Sequence, residues 1–146
     1  MPDLDDRLAD YAHARVMFEL PDGPLILRPA ERPGRYPFGA SPVHVLTAHD
    51  PGAARPGDAE NRRHQAALEA ELTARGLVVI PAVASAEDGT HAETSAAVVG
   101  WDDDAALRLA RSYSQDAIFR WSPEAWAVVP CDGGTARRLG WTLTPG

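Results

Sequence analysis

The sequence contains no lysine. Its fourteen basic residues are all arginine, and they face 21 acidic residues, which gives a formal net charge of −7. Without lysine there is no Schiff-base chemistry and no P-loop lysine. The acidic balance also argues against a nucleic-acid binder, which needs a basic face. No apolar run approaches the length of a membrane span. We therefore expect no nucleic-acid partner and no membrane partner.

Cysteine is almost missing as well, since Cys131 is the single one. One cysteine excludes an intrachain disulfide and a cysteine-based metal cluster. The first fourteen residues are charged and lack the apolar stretch of a signal peptide, so we expect a cytoplasmic protein. Apolar residues make up 45% of the 146 residues, which is enough for the core of a single domain.

Apolar spacing and turn residues predict the secondary structure. Helices are predicted over residues 4–14, 59–75 and 103–113. Strands are predicted over residues 15–20, 25–27, 43–48, 77–80, 94–100, 117–121 and 126–129. Asp58 and Asp102 are predicted helix N-caps, and Gly76 a C-terminal cap. Four prolines in residues 28–42 predict a surface loop. Beyond residue 131 the pattern is weak.

The order from residue 43 to 121 is β-α-β-β-α-β. It predicts an α+β fold, a two-layer sandwich with a ferredoxin-like core and both helices on one face of an antiparallel sheet. We expect one domain over residues 1–146. An N-terminal helix and β-hairpin (1–28), a proline-rich loop (29–42) and a C-terminal extension with an extra strand (122–146) would be added to the core.

In such a unit, four chain segments end at the same edge of the sheet. The polar residues that they would bring there are His49, Asp50, Asn61, Arg62, Glu93, Ser95, Gln115 and Asp116. Polar residues from distant segments rarely collect at one end by accident. Strand ends and helix starts are nevertheless polar in most folds, so simple turn and cap roles are the alternative interpretation.

Glu93 and Asp50 are the candidate catalytic residues. Two carboxylates close together raise the pKa of one of them, which suits acid/base work. The alternative is that Glu93 pairs with Arg62 or caps a loop. Asn61 and Gln115 are candidate ligand-binding residues, because an amide offers both a donor and an acceptor. They could instead tie loops to the backbone.

Three further residues complete the predicted ligand-binding set. Arg62, near a helix N-terminus, could pair with an anion, although such arginines often just face solvent. His49 ends a strand at the predicted edge. Ser95 lies in a strand and lacks the G-x-S-x-G context of a nucleophile, so a hydrogen-bonding role is the expectation.

The sequence offers only weak candidates for a metal-binding site. His91-Ala-Glu93 with Pro130-Cys131 is similar to the zinc deaminase signature, but position 134 is glycine where the second cysteine belongs. A site without cysteine could be drawn from His49, Asp50, His64, His91 and Glu93. None of these spacings is an i,i+4 ligand pair on a helix. We assign no metal and no cofactor.

Several short motifs resemble one family in order and spacing. They are Thr47-Ala-His-Asp-Pro51, Asp58-Ala-Glu-Asn61, Ala67-Leu-Glu-Ala-Glu-Leu72 with Gly76-Leu77, His91-Ala-Glu-Thr-Ser95 and Ser114-Gln-Asp-Ala-Ile-Phe119. Together they resemble the DUF3293 family, a bacterial domain of unknown function, over roughly residues 11–119. The chain departs from the family at Asp50, where members usually have asparagine. The resemblance implies a compact bacterial domain and names no reaction.

Two functions remain open at this point. One is a small soluble domain that binds or transforms a small polar or nucleotide-like ligand at the sheet edge. The other is a non-catalytic regulatory module that uses an exposed sheet edge to dock a partner or to form a homodimer. Whether the protein is an enzyme stays open. A concave pocket lined by Asn61, Glu93 and Gln115 would favour the first.

Overall fold

The computed structural model describes residues 4–49 and 57–146, which form three helices and eight strands. The helices are α1 (Leu4–His13), α2 (Asp58–Ala74) and α3 (Asp103–Ser112). The strands are β1 (Arg15–Leu20), β2 (Gly23–Ala30), β3 (Val43–Leu46), β4 (Val78–Ser85), β5 (Glu93–Val99), β6 (Ala117–Trp121), β7 (Trp126–Pro130) and β8 (Arg137–Pro145). In these described parts of the chain, no helix combines the length and the apolar content of a membrane span.

The strands close into one antiparallel barrel in the order β1-β2-β8-β7-β6-β3-β5-β4, with β4 paired back to β1. The predicted open, two-layer ferredoxin-like sandwich is therefore wrong. The four strands of the expected sheet do lie side by side, but neither edge is free. β1 pairs along β4, β7 pairs along β6, and β8 joins β2 to β7. The added strands turn an open sheet into a barrel.

The closing strand β8 is the element that the sequence did not predict. Only Gly140 and Trp141 are buried in it, so it lacks the alternation of apolar and polar residues that marks a strand. Hydrogen bonds of both the main chain and the Trp141 side chain hold it instead. The backbone N–H of Trp141 donates to the carbonyl of Arg32 at 3.0 Å, and its indole N–H donates to the carbonyl of Arg35 at 2.9 Å.

Aromatic rings fill the inside of the barrel. Phe18 stacks on Trp121 with ring centroids 5.3 Å apart, and Phe119 stacks on Trp126 at 4.7 Å. Trp141 meets Trp121 edge-on at 5.7 Å. Such pairs add roughly 0.5–1.5 kcal/mol each beyond the area they bury. The interior is therefore a packed core and not a channel.

A second core lies outside the barrel, under α2 and α3. The outward side chains of β3, β5 and β6 pack there against fully buried Leu68 and Leu72 of α2 and nearly buried Leu109 of α3. Gly76 ends α2 in the left-handed conformation at φ 72°, as predicted. Asp102 caps α3 by accepting from the backbone N–H of Ala105.

The predicted N-cap at Asp58 is wrong. Gly57 holds that position without a side-chain cap bond, and Asp58 is the first helical residue of α2. As an acid in the first turn, Asp58 still interacts favourably with the helix dipole.

Segments that were expected at the periphery cover the two ends of the barrel. The loop over residues 31–42 places Tyr36 and Phe38 edge-on against Trp121 at one end. At the other end α1 contacts β2 and β7, and its Tyr11 ring lies 5.5 Å from Phe119. The proline-rich loop thus closes one end of the barrel, and α1 covers the other end as its roof.

Candidate functional site

A cavity of about 670 Å³ opens between α1, the start of α2 and the adjoining strand ends. Three regions build it, namely a helix over the barrel end, a helix N-terminus beside it, and the ends of β3, β4, β5 and β6. The residues that carry its chemistry are Arg7, Asp10, Tyr11, His49, Asp58, Asn61, Glu87, His91, Glu93, Gln115 and Asp116. Phe119 and Ala84 add apolar surface.

Five of the polar residues predicted at the sheet edge line this one cavity. His49 follows β3, Asn61 lies in the first turn of α2, Glu93 begins β5, and Gln115 and Asp116 precede β6. They meet because β3, β5 and β6 are antiparallel neighbours, so the end of β3 and the starts of β5 and β6 share one end of the barrel. The predicted Asp50 lies outside the described residues.

Two predicted residues lie elsewhere. Arg62 is exposed on α2 and lines a separate depression of about 260 Å³ together with Gln65 and Glu69. Ser95 is buried, and its Oγ donates to the backbone carbonyl of Glu93 at 3.1 Å. Neither side chain lines the larger cavity, so Arg62 is not placed to bind an anion there.

Gln115 both stabilises the fold and lines the cavity. Its side chain is nearly buried, and Nε2 donates to the carbonyls of His49 at 3.0 Å and Tyr113 at 3.3 Å. Both amide hydrogens are therefore engaged, and Oε1 is the atom left to accept from a ligand. Asn61 is similarly buried, at 7% exposure.

Sequence reasoning missed the contribution of α1. Arg7 forms a two-pronged ion pair with Asp116, with Nε 2.6 Å from Oδ2 and Nη2 3.3 Å from Oδ1. Tyr11 lies one turn further along and faces the barrel end. The spacing of Leu8 and Tyr11 does identify the buried side of α1. That spacing does not show which part of the molecule the buried side of α1 covers.

Tyr11 is kept as a neutral phenol. Burial raises the pKa of its hydroxyl far above the usual range, and the negative charges of Glu93 and Asp116 raise it further. Arg7 acts in the opposite direction but more weakly. A neutral phenol can both donate and accept a hydrogen bond at physiological pH.

The cavity is rich in carboxylates. Of the described residues that line it, five are acidic, one is arginine and three are histidine. The acids are Asp10, Asp58, Glu87, Glu93 and Asp116, and the histidines are His13, His49 and His91. Its surroundings are therefore dominated by groups that accept hydrogen bonds and attract positive charge.

His49, His91 and Glu93 line the same cavity but are not grouped as metal ligands. Within residues 4–49 and 57–146, no group of three or more histidine, cysteine, aspartate or glutamate side chains has the arrangement of a metal site. His64 is half exposed on α2, 4.0 Å from Glu60. Cys131 is buried under α3, and burial raises the pKa of its thiol to about 11.

A second polar cluster lies away from the cavity and has a structural role. Nε2 of fully buried His44 lies 2.7 Å from Oδ1 of Asp103, and Nη1 of Arg120 donates to Oδ2 at 2.6 Å. Burial alone would raise the pKa of Asp103, but the hydrogen bonds from His44 and Arg120 outweigh it and hold that pKa below its usual range. The cluster ties the first turn of α3 to β3 and β6.

Comparison with known proteins places the chain in a family. A family model described as "Protein of unknown function (DUF3293)" matches residues 46–118, which is half of the chain. This protein belongs to the DUF3293 family. The resemblance drawn from the short motifs is thereby confirmed. No curated protein and no solved structure matches the chain.

The DUF3293 match accounts for one wall of the cavity. It runs from the end of β3 to the second residue of β6 and so includes His49, Asn61, Glu93 and Gln115. The roof formed by α1, with Arg7 and Tyr11, lies before the matched segment. The cavity is therefore assembled from the DUF3293 segment and from an N-terminal helix outside it.

Proposed function

We propose that this DUF3293 protein binds a small polar ligand in the cavity beneath α1. The observation that carries the proposal is that Asn61, Glu93 and Gln115, from three separate segments, line one concave space of about 670 Å³. Small-molecule pockets usually measure roughly 300–1,000 Å³ and combine apolar walls with a few polar groups. The rings of Tyr11 and Phe119 supply the apolar wall.

Each polar group has a definite contribution to binding. Oε1 of Gln115 and the carboxylate of Glu93 accept hydrogen bonds, while the neutral hydroxyl of Tyr11 donates one. Asn61 adds an amide from the first turn of α2. If the ligand also reacts, Glu93 is the residue that we propose to move a proton. Its predicted partner Asp50 lies outside the described residues.

The barrel argues against the alternative of a module that docks through a sheet edge. Across the described strands, every strand pairs with a neighbour on both sides. Closure of a barrel removes the row of unpaired N–H and C=O groups on which edge pairing depends. For the same reason, the described strands offer no open edge through which a homodimer could pair.

The test of binding is a thermal-shift screen of small polar compounds, including amines, amino acids, sugars and nucleotides. A ligand that binds the native state alone, at 100 times its Kd, stabilises the protein by about 2.7 kcal/mol. Ala84→Leu should abolish such a shift, because Ala84 lines the cavity and a leucine would fill part of it. Ala70→Leu, on the exposed side of α2, is the matched control.

The expected result is a rise in Tm that survives in Ala70→Leu and disappears in Ala84→Leu. A shift kept in full by both variants would place the binding elsewhere. If no compound in the screen raises the Tm of the wild-type protein, the ligand-binding proposal is wrong.

A further inference from the structure

We propose that α1 is a lid of the cavity that opens and closes, and that the ion pair between Arg7 and Asp116 is its latch. The lid opens to admit a small polar molecule and closes over it, while the barrel beneath keeps its structure. This inference rests on the proposed function, because it describes how a ligand reaches the same cavity.

The way in which α1 joins the barrel allows this movement. α1 ends at His13 and β1 begins at Arg15, so Ala14 is the single residue between them. The pairing of β1 begins at Arg15 on the β4 side and at Val16 on the β2 side. Nε of Arg15 also donates to Oγ of Ser85 at 3.3 Å, which fixes the start of β1. α1 precedes all of these backbone pairs and can therefore swing at Ala14 without breaking them.

α1 is also a segment of low local stability. It has ten residues, and an isolated helix shorter than about 12–15 residues is marginal in water. Ala12 is its buried residue, and Leu8 and Tyr11 are partly buried against the barrel end. α1 thus depends on these side-chain contacts to stay helical and in place. Segments with little buried apolar surface open more readily than the core beside them.

The latch has one moving end and one fixed end. Arg7 belongs to α1, whereas Asp116 directly precedes β6, and both side chains line the cavity. The backbone N–H of Cys131 donates to the carbonyl of Asp116 at 2.8 Å, which ties the Asp116 end to the barrel. The paired side chains are 25% and 18% exposed. A two-pronged ion pair with this degree of burial is stronger than a fully exposed one.

The test measures access to the cavity with a thiol on its wall. Ala84→Cys places that thiol among the lining residues, and N-ethylmaleimide is the neutral probe. Ala70→Cys, on the exposed side of α2, is the control thiol, and the native Cys131 is buried. Each labelling rate is divided by the rate of the same variant in urea. We expect Ala84→Cys to react about tenfold more slowly than Ala70→Cys, because the reagent waits for α1 to open.

The latch is tested by adding Asp116→Asn to each thiol variant. This change keeps the shape of the side chain and removes its charge. It should speed the labelling of Ala84→Cys about fivefold and leave Ala70→Cys unchanged. Asp104→Asn removes the same charge from an exposed site on α3 and should alter neither rate. Ala84→Cys reacting as fast as Ala70→Cys, or no effect of Asp116→Asn, would overturn the proposal.

Hydrogen exchange shows whether the lid moves by itself. In Asp116→Asn the backbone amides of α1 should exchange faster than in the wild type, whereas those of β1 should not change. Equal acceleration in α1 and β1 would mean that the ion pair holds the whole fold, and it would contradict a separate lid.

Failure of this inference can be told apart from failure of the proposed function, because neither measurement needs a ligand. If a compound raises the Tm of the wild type but not of Ala84→Leu, and labelling ignores Asp116→Asn, the cavity binds its ligand without a latched lid. If labelling and exchange behave as expected but no compound raises the Tm, α1 moves as proposed and the ligand-binding proposal is wrong.

Discussion

Closure of the barrel by β8 predicts that Gly140→Ala destabilises the protein. A Cβ at residue 140 would lie 2.0 Å from the carbonyl carbon and oxygen of Arg32, whereas ordinary contacts begin near 3.4 Å. The two backbone segments would have to separate by more than 1 Å. That movement also strains the hydrogen bond from the N–H of Trp141 to the carbonyl of Arg32.

Whether Gly140→Ala stabilises or destabilises the protein depends on this contact with Arg32. Gly140 has no positive φ, so alanine suits its backbone, and by itself the change would stabilise by about 0.4–1 kcal/mol. Overpacking costs roughly 1–3 kcal/mol and a weakened hydrogen bond about 1 kcal/mol. We expect a net loss of about 2 kcal/mol in the free energy of unfolding, measured by urea denaturation.

The matched control is Gly134→Ala. There the nearest atom to the new Cβ is the flexible end of the Asp132 side chain, at 3.0 Å, so we expect a change below about 0.5 kcal/mol. If Gly140→Ala is as stable as the wild type, β8 does not run against Arg32, which would contradict closure of the barrel by β8.

Four further predictions concern the cores and the titrating groups. Leu72→Ala should cost about 2–5 kcal/mol in urea unfolding, because Leu72 is fully buried between α2 and the barrel. The pKa of Asp103 is lower in the folded state, so its stabilisation is present above about pH 4 and is lost as the pH falls. Asp103→Asn should therefore lower stability at pH 7 and flatten its loss in acid, whereas the exposed Asp104→Asn should not. With a pKa of about 11, Cys131 should react with a thiol reagent at pH 8 only in denaturant. The phenol of Tyr11 has a raised pKa in the folded state, so stability should fall above pH 10 as the unfolded chain ionises, and Tyr11→Phe should reduce that loss.

Local structure was well predicted by local signals. The three helices, the N-terminal hairpin and six of the seven predicted strands overlap the observed elements closely, because apolar spacing, Gly76 and Asp102 are short-range signals. β4 extends five residues further than predicted, to Ser85. Its alternating Ala82 and Ala84 face the barrel interior, and alanine carries little pattern.

The architecture was not predicted, because closure depends on pairs far apart in sequence. The contact of β1 with β4 joins residues near 17 to residues near 83, and β2 pairs with the last strand of the chain. Periodicity within one segment carries no information about which strand lies beside it. A β-α-β-β-α-β order suits an open sheet and a barrel equally until the partners of its two edges are known.

The candidate site was predicted in part, for a reason that does not depend on the overall fold. Which ends of β3, β5 and β6 share a side follows from the antiparallel order, and that order is the same in the barrel. Asn61, Glu93 and Gln115 therefore face one cavity. Arg62 was placed by its nearness to Asn61 in sequence, yet it points to the exposed side of α2.

The most direct test of the account is an NMR titration of the labelled protein with each compound that raises its Tm in the thermal-shift screen. We predict that at least one such compound shifts the backbone amide signals of Tyr11, Asn61, Glu93 and Gln115 together and in a saturable manner. Signals of the Asp22–Gly23 turn, where the β1–β2 hairpin reverses, should stay in place. Shifts centred on that turn, or no saturable shift with any of these compounds, would contradict the claim that the cavity beneath α1 is the ligand site.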